Sequence, residues 1–167
     1  MSNLLTYSPE DITILLAGVI PIDGYVDGTF LSIKKDVDPY SSKTTADNVV
    51  SRTYRNNQSY TLTLTLHSAS ASNDILTTLW QLDELTQTAK FPIIIKDQLG
   101  TSFFFSSTSW VEGVAEMTYG TEITERRWVI KSSQAIINIG GNDGESSLIG
   151  DLARTLLAAS PILGSLL

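Results

Sequence analysis

Apolar and polar residues alternate most cleanly over Ser59 to His67, SYTLTLTLH. Tyr60, Leu62, Leu64 and Leu66 fall on one side, and Thr61, Thr63, Thr65 and His67 on the other. A period of two predicts a strand with one buried and one wet face, and at ~3.3 Å per residue it spans roughly 30 Å. Asp11 to Val19 is a mostly apolar strand. Pro21-Ile22-Asp23-Gly24 and Asp27-Gly28 are turn signals, and Thr29 to Lys35 reads as a second strand. Ile75, Leu76, Leu79, Leu82 and Leu85 recur at helical spacing, with Ser72 or Asn73 to cap, Asp74 in the first turn and an end near Thr88 before Pro92. That helix is expected to cover an open face or end of the sheet. Phe91 to Asp97 and Thr101 to Ser107 flank Asp97-Gln98-Leu99-Gly100, a hairpin signal. Phe103, Phe104 and Phe105 in succession predict burial on both faces of their strand, in a sandwich or at a subunit contact. Ser109 to Thr118 and Ile123 to Lys131 are expected to form a last strand pair.

Between two of these strands lies Asp36 to Gln58, DVDPYSSKTTADNVVSRTYRNNQ, with no regular period. A connection that long inside a compact domain is usually a binding arm or a disordered segment. Tyr40, Arg52, Tyr54 and Arg55 are residue types that protein interfaces favour, so the arm is expected to join subunits or rings. The expected organisation is a β domain over 1–138 that includes this arm at 36–58, a Gly/Asn/Ser linker at 139–147, and an apolar tail at 148–167. In the tail Leu148, Leu152 and Leu156 repeat at helical spacing, while Asp151, Arg154 and Pro161 argue against a membrane span.

Composition narrows the function classes. The chain has 167 residues, 42% hydrophobic and 17% charged, within the range of a globular domain. A net charge of −7 argues against a protein that binds nucleic acid by neutralising phosphates. With no cysteine, neither a disulfide framework nor a thiolate metal site is available. The N-terminus lacks the basic region of a secretory signal, so synthesis in the cytoplasm is expected.

Candidate chemistry is thin. His67 is the sole histidine and ends a threonine face, where an ordinary solvated or interface role is the plainer reading. No G-x-S-x-G elbow, calcium loop, dinucleotide fingerprint or Walker motif occurs. Glu112 and Glu116 could share a strand face with Trp110, joined by Glu125, and paired carboxylates can hydrolyse glycosides. An acidic row facing solvent or a lumen is the plainer reading. No enzyme activity, metal or cofactor is expected.

Several segments together resemble the tail tube proteins of contractile-tailed phages. Tyr7 to Asp36 resembles their start, with an IxGYxDGTFxxI stretch at Ile22 to Ile33. The arm with Tyr54-Arg55-Asn56-Asn57, the threonine–leucine strand, the helix over Leu76 to Leu85 and the FPIIIKD hairpin follow in that family's order, covering roughly residues 7 to 138. The resemblance implies a mainly β sandwich or barrel with one flanking helix, related to type VI secretion tube proteins. It implies hexameric rings stacked into a tube inside a sheath, in the tail of a virion assembled in the bacterial cytoplasm. The implied partners are further copies of itself, the tail sheath protein, baseplate and tail terminator proteins, and phage DNA passing through the lumen without specific binding; no membrane is implied. On this reading Thr61, Thr63, Thr65, Glu112, Glu116 and Glu125 line the lumen, where like charge keeps a polyanion sliding. Arg126 and Arg127 are expected to make ion pairs between subunits. The alternatives are the tube of a phage-derived bacteriocin or secretion machine, and a monomeric β-sandwich binding module of a virion.

Overall fold

The computed structural model describes residues 7–141, so the tail at 148–167 and most of the 139–147 linker lie outside the described residues. A short 3-10 turn at Pro9–Asp11 leads into the strands β1 (Ile12–Leu16), β2 (Ile20–Pro21), β3 (Leu31–Lys35), β4 (Tyr40–Thr44), β5 (Val50–Tyr54) and β6 (Tyr60–His67). One helix, α1 (Ser72–Thr86), precedes β7 (Phe91–Asp97), β8 (Phe103–Gly113) and β9 (Glu125–Asn138). Seven strands form one sheet in the order β2-β1-β7-β8-β9-β6-β3, and β4 pairs only with β5.

The alternation in β6 sets the core. Leu62 lies opposite Ile33 and Ile130, and Leu64 opposite Leu31 and Trp128, so apolar residues of three strands form continuous rows on one face. Leu62, Leu64 and Leu66 are at most 1% exposed, and each stabilises the fold by about 1.5–3 kcal/mol through burial. Across the sheet, Ile14, Ile95, Phe104 and Ile137 make another inward row. The sheet rolls as well as twists. The Tyr60 and Phe104 rings meet edge-on at 5.6 Å although β9 lies between their strands. Ile12 of β1 and Leu31 and Ile33 of β3 line the same apolar cavity, of about 380 Å³. The expected sandwich or barrel is thus an open barrel made from a single sheet.

Among the described residues, much of the outside of the rolled sheet is left uncovered. Phe104 is buried, whereas Phe103 and Phe105 point outward and are half-buried. Leu15, Ile94, Phe105 and Ile136 stand in register across four strands and form an outward apolar row.

The two segments read as separate strands around residue 108 are one strand, β8, bent by register shifts between Phe105 and Ser109. Serines make the bend affordable there. Ser106 Oγ donates to the Gln134 carbonyl at 2.6 Å, and the buried Ser109 and Ser132 hydroxyls pair at 2.7 Å. β8 ends at Gly113, five residues short of the expected end, and 114–124 is a loop.

Helix α1 forms where the apolar spacing predicts it, but its stripe is only half used. Leu76 is fully buried, Ile75 and Leu79 pack against the core, and Leu82 and Leu85 stay exposed. The expected capping side chains serve tertiary contacts instead. Ser72 Oγ accepts from the Asp23 backbone N–H at 3.0 Å. Asn73 donates to the His67 carbonyl and accepts from Trp128 Nε1 at 2.9 Å. Ala71 occupies the cap position, and Gln87 in a left-handed conformation ends the helix. Gly24 fits the same junction: its φ is +76°, and a Cβ there would lie 2.5 Å from the Ser70 side chain.

Candidate assembly surface

The arm at 36–58 is a β-hairpin rather than an irregular connection. Tyr40 pairs with Tyr54, Ser42 with Arg52 and Thr44 with Val50, and every residue of both strands is exposed. Its turn is closed by Thr45, whose Oγ1 accepts from the Val49 backbone N–H at 3.2 Å, with Asn48 at positive φ. Three of the four residues singled out for the arm meet on one side of it. The Tyr40 and Tyr54 rings are 5.3 Å apart, and the Arg52 guanidinium lies 4.2 Å over the Tyr40 ring. Arg55 is exposed at the hairpin's return, its backbone N–H bonded to the Pro39 carbonyl at 2.7 Å.

An isolated two-stranded hairpin is marginal in water. This one is fixed at its root. Asp36, the first residue of the arm, accepts a hydrogen bond from Thr61 Oγ1 on β6 and lies 3.1 Å from Lys131 Nζ on β9. Burial alone would raise the Asp36 pKa. Hydrogen bonds from Ser59, Thr61 and Lys131, with the Lys131 charge, hold it below the ordinary aspartate value. On the returning side, Asn57 Oδ1 accepts from both the backbone N–H and the hydroxyl of Ser59, at 2.8 and 2.6 Å. Sequence reasoning missed Asp36 and Lys131. The visible signal was an aspartate at the end of one strand and a lysine on another, which means nothing until register is known.

The candidate lumen residues divide. Thr61 and Thr63 are half-buried on the outward face of β6. Glu125 is exposed at the start of β9, opposite His67. Glu112 is exposed at the bulge between Val111 and Gly113. Glu116 is exposed in the 114–124 loop, not on the strand face expected to carry it beside Glu112. Thr65 is 6% exposed, beside the segment whose Val26 and Phe30 backbone groups hydrogen-bond it, so the chain covers that side chain itself. Cations share this outward face, because Thr61 stands opposite Lys34 and Lys131, and Thr65 opposite Arg127. The outward face of β6 and its neighbours therefore carries cations as well as hydroxyls.

Arg126 also differs from expectation. It is 8% exposed, and its Nη1 donates to the carbonyls of Glu116 and Thr118, each at 3.1 Å. It clamps the loop of its own chain instead of offering itself to a neighbour, while Arg127 is exposed. Among the described residues no three potential acidic, histidine or cysteine ligands cluster as a metal site, and no helix is long and apolar enough to cross a membrane.

No protein-family model matches the chain. A structural protein of Pseudomonas phage KPP10 is 27% identical over 158 residues, covering 90% of this chain and 91% of its own length. Among solved structures, the sheath/tube terminator of an extracellular contractile injection system superposes with a TM-score of 0.56 at 13% identity, covering 83% of this chain and 100% of that one. The tube-terminating cap of the anti-feeding prophage gives 0.53 at 11% identity, over 83% and 94%. A chain of the sheath–tube complex of the extracellular system gives 0.54 at 14%, over 80% and 91%. These superpositions show the fold, and they bear out the mainly β architecture with one helix.

Proposed function

We propose that this chain, a contractile-tail tube-type protein by its phage relative and its fold, is the structural tube subunit of a phage tail. It sits in the virion tail and closes into hexameric rings that stack around a lumen through which DNA passes. The observation that carries the proposal is the β4–β5 hairpin. This two-stranded element, rooted on the barrel and carrying Tyr40, Arg52, Tyr54 and Arg55, has both strands fully exposed and is covered by no other element among the described residues. Two further features support assembly. The outward row of Leu15, Ile94, Phe105 and Ile136 needs a cover, and among the described residues β3 ends the sheet with an unpaired edge. Joining such edges between subunits would continue the sheet around a ring.

The lumen is assigned to the outward face of β6 with Thr61 and Thr63; Glu112, Glu116 and Glu125 lie towards its His67 end, at the rim where the next ring stacks. Lys131 on that face is neutralised by Asp36, and Lys34 and Arg127 are the cations that remain on it among the described residues. With a net charge of −7 per chain, the tube as a whole repels DNA and lets it slide. The sheath, baseplate and terminator proteins are the partners of this role, which requires no catalysis.

A second reading, the tube terminator, is favoured by the superpositions that cover 94% and 100% of two terminator chains. The two roles separate by copy number and place. Gold-labelled antibody along the whole length of isolated tails supports the tube subunit, and label confined to the end nearest the head supports the terminator. A tube from a bacteriocin or secretion machine would share the ring contacts and carry no DNA.

A further inference from the structure

We infer that the loop between β8 and β9, residues 114–124, is the seat for the β4–β5 hairpin of a second copy of this chain. The inference rests on the tube reading and says which surface receives the arm. β6 runs from Tyr60, at the hairpin's root, to His67, which pairs with Glu125 at the mouth of the loop. Eight residues at about 3.3 Å separate hairpin and loop by roughly 25 Å, at opposite ends of one strand. They do not meet within a chain. A copy displaced along the strand direction brings one onto the other, and such a head-to-tail contact repeats into an open stack.

The two surfaces are complementary. Tyr40 to Arg55 holds Lys43, Arg52 and Arg55 against Asp47, three positive charges against one negative. Glu112 to Glu125 holds four glutamates, Glu112, Glu116, Glu122 and Glu125, against the one guanidinium of Arg126 that is buried beneath the loop, so the surface remains net negative. All of these side chains except that of Arg126 are exposed. Each surface also presents apolar groups to solvent: Val49, Val50 and Tyr54 on the hairpin, and Val114, Met117, Tyr119 and Ile123 on the loop. The loop is ordered in advance by the Arg126 hydrogen bonds to Glu116 and Thr118, by Thr124 Oγ1 donating to the Thr118 carbonyl at 2.9 Å, and by the Arg126 guanidinium 5.3 Å from the Tyr119 ring. A seat already ordered loses little conformational entropy when it is filled.

Charge reversal tests the pairing. Arg52→Glu with Arg55→Glu, and separately Glu116→Lys with Glu122→Lys, alter exposed side chains, and unchanged melting temperatures would show that both variants fold. Each is expected to shorten tubes seen by negative-stain electron microscopy at least tenfold, and all four substitutions in one chain are expected to restore them. Because the natural chain has no cysteine, Arg52→Cys with Glu122→Cys in one chain should give an oxidation-dependent ladder of covalent multimers. Tubes that form normally with either reversal, or a four-fold variant no better than its halves, or no ladder, would overturn the seat and leave the tube reading standing. A wild-type protein that never associates would overturn both.

Discussion

Asp36 stands where the barrel hands over to the hairpin, and its carboxylate holds that junction to β6 through Thr61 and to β9 through Lys131. Asp36→Asn keeps the shape and removes the charge, and is expected to lower stability by about 1 kcal/mol at pH 7, read by denaturant unfolding. The native pKa lies below the unfolded one, so the contribution is complete above the ordinary aspartate range and declines as pH falls from about 4 through the lowered native value. The difference between wild type and variant should therefore shrink in acid. Leu64 poses the opposite case. It is 1% exposed with Leu31 and Trp128 on either side, so Leu64→Asp buries a carboxylate with no partner. An insoluble or unfolded product is expected. A folded Leu64→Asp variant, judged by circular dichroism, would mean that the inward and outward faces of β6 are reversed.

At the scale of elements, what was legible followed from burial. β6 could be read from sequence because one of its faces is wholly inside, and α1 because Ile75, Leu76 and Leu79 pack on the core. The hairpin could not, because neither face of β4 or β5 is buried: Ser41, Ser42 and Lys43 face Thr53, Arg52 and Ser51, and period-two contrast needs an inside. Asp47-Asn48 between β-branched and aromatic runs was the remaining signal. The end of β8 was misplaced because Val114 and Ala115 continue its apolar content, while the chain leaves the sheet at the bulge by Gly113. That displaced Glu116 from the face assigned to it. Replacing residues 40–54 by a short Gly/Ser link should leave the barrel folded, with its cooperative thermal transition intact, and should abolish ring stacking. Loss of folding would show that the hairpin is a structural strap. Along α1, Leu85 is 84% exposed, so Leu85→Glu is expected to change stability by no more than about 0.5 kcal/mol in denaturant unfolding.

At the scale of the whole molecule, one rolled sheet buries its inside and, among the described residues, leaves an apolar row, an unpaired edge and a projecting hairpin outside. These are features that assembly with further copies would use. The apolar segment 148–167, outside the described residues, belongs to the same account, and its removal is expected to weaken assembly more than folding, by comparison of tube length with melting temperature. The most direct measurement is negative-stain electron microscopy of the purified protein at high concentration, seeded with sheathless tail fragments and classified for rotational symmetry. The account predicts six-fold rings and hollow tubes wide enough for a DNA duplex. A field of monomers under seeding, or rings of another symmetry with no lumen, would contradict it.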